Sequence, residues 1–137
     1  LLDFAFDGKD EGLTLQGSAK AEGMLDLSAN TATGFSTNGY AVVKEGILDS
    51  LRSYSVLLTI KADALDKAPR LFDFGSASGN SLFLRANPLS AGIKYNGGTT
   101  TMVTSATILE KDKEYKLAVT FNAATKTTTM MMLSWLL

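Results

Sequence analysis

Cysteine and histidine are both missing from the 137 residues. Without cysteine there is no disulfide, no thiolate nucleophile and no iron–sulfur cluster, and the redox compartment leaves no trace in the chain. Without histidine as well, Ser-His-Asp and Cys-His catalysis cannot be assembled from this chain, and the usual zinc sites lose both principal ligand types. Acid–base work is left to carboxylates, Lys and Tyr. Proline is down to 2 residues while glycine stands at 12, a balance that fits neither a collagenous nor a disordered chain. No charge of one sign dominates: 13 basic side chains against 14 acidic ones leave −1, so nothing pulls the chain toward a polyanion. Nucleic acid is not an expected partner. Long apolar runs are lacking too. The most apolar stretch, MMMLSWLL at 130–137, is far short of the roughly 20 residues that span a bilayer, so no membrane insertion is expected. The first residues, LLDFAFD, carry neither a basic segment nor a start methionine, the expectation for a chain whose leader was removed or that was excised from a longer one.

Helical periodicity is scarce as well. Only EGILDSL at 45–51 offers a turn or two of helix, and at that length a helix depends on packing. What the chain does have is alternation. Tyr54, Val56, Leu58, Ile60 and Ala62 share one face against Ser55, Thr59 and Lys61, with Leu57 the exception. Tyr115, Leu117, Val119 and Phe121 repeat the pattern against Lys116, Ala118 and Thr120. Shorter versions predict strands at 2–6, 13–15, 40–43, 71–74, 82–85, 93–95, 102–107 and 127–133. Turn signals separate them: Asp7-Gly8, Asn38-Gly39, 75–80, Asn87-Pro88 and Asn96-Gly97-Gly98, the last a hairpin signal because a type I′ turn needs positive φ at both central residues. Regularly spaced strands without helical partners predict an all-β fold, an antiparallel two-sheet β-sandwich or jelly roll. With 45% apolar and 20% charged residues and no linker or repeat, 1–137 is expected to be one domain around one core.

Four groups of residues carry the chemistry that remains. Glu110-Lys111-Asp112-Lys113-Glu114 would, on a strand, line up three carboxylates on one face at about 6.8 Å steps, a pattern that resembles the nucleophile, helper and acid of laminarinase-type glucanases. The interposed lysines cannot bury unpaired beneath a sheet, so the stretch is expected to be a solvated turn entering the Tyr115 strand. Asp7, Asp10 and Glu11 cluster in FDGKDEG, where turn-borne carboxylates can supply oxygen to Ca²⁺; the spacing is not that of an EF-hand loop. Asp73, between Phe72 and Phe74, is expected to face away from these two core aromatics. For sugar, the requirement is a flat aromatic face flanked by planar hydrogen-bonding groups. Asn38 with Tyr40, Tyr95 with Asn96, and Arg85 with Asn87 meet it at strand ends and turns, although the tyrosines serve equally as packing residues. Trp135 sits in the apolar ending, as a buried strand end or an exposed terminus. Arg52, Arg70 and Arg85 are scattered and form no stripe, and no Gly-rich phosphate loop is present.

Taken in order, FAFDG, GLTLQGSA, GFSTNGYAVV, SYSVLLTIKAD, RLFDFGSASGNSLFLR, AGIKYNGG and EYKLAVTFNAATKTTTM resemble successive strands of a bacterial laminin-G-like, concanavalin A-like jelly roll. The resemblance covers most of 1–130 and is strongest over 53–130. It implies a two-sheet antiparallel sandwich, a secreted or surface module, extracellular or periplasmic, mostly non-catalytic, attached to polysaccharide-degrading enzymes or adhesins and often holding calcium. Asp7 matches an acidic position near that family's calcium site, with Asp10 beside it, and Asn38 and Tyr40 match its G-x-x-Y segment. Thr59 and Tyr115 stand where relatives often carry Trp. After Thr129 relatives continue into further strands, so the domain is expected to be incomplete at its C-terminus, with a sheet edge left open.

The function expected is therefore a non-catalytic carbohydrate-binding module whose partner is a polysaccharide or glycan, with calcium as the implied cofactor. A protein-interaction or adhesion module is the alternative. A laminarinase-type hydrolase using Glu110 and Glu114 ranks third.

Overall fold

The computed structural model describes residues 3–29, 39–48, 50–66, 69–75, 79–94, 98–122, 124–125 and 127–133. Among them there is no helix, and all strand pairing is antiparallel. The chain divides into two compact units, Leu1–Ser50 and Leu51–Leu137.

In the first unit, β1 (Leu13–Gln16) pairs with β4 (Tyr40–Val43), and the short β2 (Lys20–Ala21) pairs with β3 (Leu25–Asp26). Residues 3–6 do not form the expected strand. Alternation permits a strand but only a neighbour's ladder holds one, and here the backbone groups are taken up elsewhere. The Ala5 amide donates to Asp10 Oδ1 at 2.8 Å, the Phe6 carbonyl accepts from the Gly23 amide at 2.7 Å, and Phe6 sits at φ +53°. The helical spacing at 45–51 does not become a helix at 45–48, which form a turn, and Gly46 at φ +80° lies in the left-handed region that ends a helix.

The second unit holds two sheets. One has the order β11-β10-β5, from β5 (Ser53–Lys61), β10 (Glu114–Asn122) and β11 (Thr127–Leu133). The other has the order β6-β7-β8-β9, from β6 (Arg70–Gly75), β7 (Ser81–Ala86), β8 (Leu89–Lys94) and β9 (Thr101–Thr104). The alternating runs fall where expected, because a sheet with one face buried sorts residues with period two. β8 begins at Leu89, earlier than the expected 93, and β9 ends at Thr104 rather than 107. β7 and β8 meet across the Asn87-Pro88 turn, whose peptide bond is cis.

A single core lies between these sheets. Leu84, Ala86, Leu89 and Ala91 from one sheet meet Leu117, Val119 and Tyr115 from the other, with Leu109 from the connecting loop, and Leu58, Ile60, Leu71, Phe72 and Met130 pack around them. This is the packing of a β-sandwich. Leu84 and Leu117 are wholly enclosed, and each contributes about 1.5–3 kcal/mol of apolar transfer free energy.

Candidate functional site

The four-stranded sheet turns a polar face away from the core, and a bulge in β6 shapes it. From Gly75 back to Phe72 the strand pairs residue for residue with Ser81 to Leu84, and then the register shifts so that Arg70 lies opposite Arg85. On an unbroken strand, residues 70, 72 and 74 would all point inward. The extra residue lets Leu71 and Phe72 both pack on the core and turns Arg70 outward, the re-aiming that bulges commonly perform. Two arginines that are scattered in sequence thus become direct cross-strand neighbours. Arg52 is not part of this pair, so the three form no stripe, and nothing in residue spacing reveals the one-residue bulge that brings two of them together.

Each guanidinium is held. Arg70 pairs with Asp73, and its guanidinium carbon lies 4.3 Å from the centroid of the Phe83 ring. Asp73 therefore does face away from Phe72 and Phe74, whose rings stack with centroids 5.2 Å apart. The Phe83 ring lies across Gly92, the one residue type that leaves room for it. Arg85 Nε donates to Ser90 Oγ at 2.8 Å, and the Ser90 hydroxyl donates to the Pro88 carbonyl at 3.0 Å. Ser90 is fully buried although it is on the outer face, so the Arg85 side chain lies over it. Across the sheet the row reads Arg70, Arg85, Ser90, Thr104. Arg70, Phe83 and Ser90 are the members of this group that the sequence did not single out.

The other expected sugar contacts are dispersed. Asn87, exposed in the turn after Arg85, uses Nδ2 to bind the Leu65 carbonyl at 2.7 Å, which ties down the preceding loop. Tyr40 is on β4 of the other unit, 48% exposed and so available to a ligand. Asn38, Tyr95, Asn96 and Trp135 lie outside the described residues.

The acidic loop of the first unit is built mainly around its own backbone. Asp7 Oδ1 accepts from the Lys9 amide at 2.9 Å and Asp10 Oδ1 from the Ala5 amide at 2.8 Å. Asp10 Oδ2 is buried without a partner among the described residues, and Asp10 lines a cavity of about 60 Å³ together with Gly8, Leu13, Leu15 and Ala21. Calcium takes six to eight oxygens. No cluster of three or more His, Cys, Asp or Glu side chains occurs among the described residues.

Residues 110–113 form the solvated turn expected of them. Only Glu114 belongs to β10; Lys111 and Lys113 are exposed, and Asp112 sits at φ +60°. The three acids therefore do not share one face of a strand. Lys113 Nζ donates to Glu110 Oε1 at 2.7 Å, which holds the Glu110 carboxyl below its ordinary value and raises the Lys113 ammonium above its own. The buried Tyr115 hydroxyl accepts from the Glu110 amide at 2.9 Å and anchors the turn.

A further cavity of about 210 Å³ opens between β8 and β9 on one side and the start of β11 on the other, lined by Ala91, Ile93, Thr101, Val103, Thr127 and Thr128. That is below the roughly 300–1,000 Å³ of sites that engulf a small molecule. Among the described residues no helix is long and apolar enough to cross a membrane. Comparison of the chain with protein-family models and with curated proteins finds no match in either.

Proposed function

We propose that the chain is a non-catalytic carbohydrate-binding module of a secreted or cell-surface protein, its sandwich belonging to the concanavalin A-like, laminin-G-like jelly rolls. The observation that carries this reading is the outer face of the four-stranded sheet. There planar polar side chains, Arg85 foremost, are fixed in place by neighbours rather than left to wave in solvent, and a shallow, preorganised polar surface suits the hydroxyl-rich flank of a saccharide. Tyr40, exposed on β4, is a separate candidate stacking surface. The absence of histidine and cysteine, together with the placement of Glu110 and Asp112 on a turn and Glu114 alone on β10, supports binding without catalysis. Titration of the protein against a panel of neutral and acidic polysaccharides tests this. Binding to at least one glycan at millimolar concentration or better, weakened by Arg85→Ala, Tyr40→Ala or Tyr95→Ala, is the expected result; no binding to any glycan refutes it.

A second reading rests on a different surface. Leu57, Ala118 and Met131 stand side by side across the outer face of the three-stranded sheet, with Leu57 68% and Met131 51% exposed. Two exposed apolar side chains flanking the buried Ala118 on one sheet face are what a protein-interaction or adhesion module presents. Sedimentation at several concentrations separates the two readings: a self-associating chain that Leu57→Thr makes monomeric favours the second.

A further inference from the structure

We infer that Arg70 and Arg85 act together as a clamp for the carboxylate groups of an acidic, uronate-bearing polysaccharide. The inference rests on the carbohydrate-binding reading and names the ligand class of that same face. It begins with an electrostatic anomaly. Like charges directly opposite one another on neighbouring strands oppose pairing, yet the β6 bulge brings Arg70 into register with Arg85 and turns it to the outer face. The nearby acid engages one of the two: Asp73 pairs with Arg70, while Arg85 bonds through Nε to a neutral hydroxyl. The side chain of Arg70 is 50% exposed, so its fork still reaches solvent.

Geometry favours a carboxylate over a diffuse anion. A guanidinium is a planar fork that meets a carboxylate through two parallel N–H···O bonds. Stacking on Phe83 and the bond to Ser90 fix the two forks before any ligand arrives, which lowers the entropy lost on binding. The position in the sheet favours a glycan over an acidic peptide. Arg85 is on β7, which has β6 on one side and β8 on the other, so its main-chain groups are already committed to ladders. A peptide lying on this face would forgo the backbone pairing that gives edge-bound peptides their affinity. A saccharide needs no such pairing, because side chains alone serve its hydroxyls and carboxylate; Thr104 stands in the same cross-strand row.

The test uses the intact chain and four probes: polygalacturonate, the same polymer fully methyl-esterified, a neutral β-glucan and poly-glutamate. Calorimetric titration should show polygalacturonate bound, at least tenfold weaker binding after esterification, and a steady loss of affinity with added salt. Arg70→Gln and Arg85→Gln should each weaken binding tenfold or more with an unchanged circular dichroism spectrum. Arg85→Lys keeps the charge but loses the fork, and it too should weaken binding severalfold. Equal binding of the esterified polymer, or full affinity in Arg85→Lys, overturns the clamp while leaving the carbohydrate reading standing. Binding of the β-glucan without polygalacturonate does the same. Binding of poly-glutamate with no glycan bound, or binding of none of the four, overturns the clamp, and the wider polysaccharide panel then decides the carbohydrate reading.

Discussion

Replacing Gly92 by alanine should destabilise the second unit through one identifiable collision. Gly92 is buried on the outer face of β8, and a Cβ built there would lie 2.6 Å from Cε1 and 2.8 Å from Cε2 of Phe83, closer than real Cβ contacts come. The backbone at Gly92 is not left-handed, so the cost is steric and not conformational. Either the ring stays and the sheet deforms, which costs about 1–3 kcal/mol for overpacking, or the ring swings out. Swinging out forfeits burial of a side chain now only 8% exposed, about 1.5–3 kcal/mol for an aromatic of this size, and removes the surface on which Arg70 stacks. The two routes cap each other, so the loss should fall at roughly 1–3 kcal/mol. Urea unfolding monitored by circular dichroism would measure it, in the wild-type background and in Phe83→Leu. With the ring gone the same Gly92→Ala change should cost less than about 1 kcal/mol, since the cycle isolates the pairwise clash. A cost that is the same in both backgrounds, or that is negligible in the first, would refute the reasoning.

Three further outcomes follow from the geometry. Leu117→Ala removes a wholly enclosed side chain between the two sheets and should cost about 2–5 kcal/mol in chemical denaturation, far more than Leu57→Ala on the exposed face of the same sheet. Tyr115→Phe removes the acceptor of the Glu110 amide and should cost about 0.5–1.5 kcal/mol, with faster hydrogen exchange at that amide. In an NMR titration, the Glu110 carboxyl should titrate below its ordinary value of 4.5, because Lys113 hydrogen-bonds to it and carries the opposite charge. Since the folded state lowers this pKa, its small stabilising effect is present above 4.5 and fades as pH falls through the folded value; Lys113→Met should return the titration to the ordinary range.

Much of the second unit is legible in the chain. β5 and β10 alternate because one face is buried and the other is wet, and a period of two in hydropathy is the direct imprint of that arrangement. The start of β8 left no such imprint. Leu89, Ser90, Ala91 and Gly92 are all buried, the small pair Ser90 and Gly92 beneath Arg85 and Phe83, so both faces of the strand are enclosed and hydropathy does not alternate. The reverse failure occurs at residues 3–6, where alternation is present but the backbone binds Asp10 and Gly23 instead of a strand. Glu45 to Leu48 carried a helical spacing that one glycine at positive φ overrules.

Composition settled that these 137 residues cannot assemble a histidine- or cysteine-based catalytic site by themselves, and residue order settled that they are built of antiparallel strands, because those properties are local and need no partner to be read. The meeting of Arg70 with Arg85, the ring laid over Gly92 and the serine buried beneath a guanidinium were decided only in three dimensions. Each depends on the register between strands, and a single inserted residue in β6 reverses which side of the sheet Arg70 occupies without leaving any mark on its neighbours in sequence.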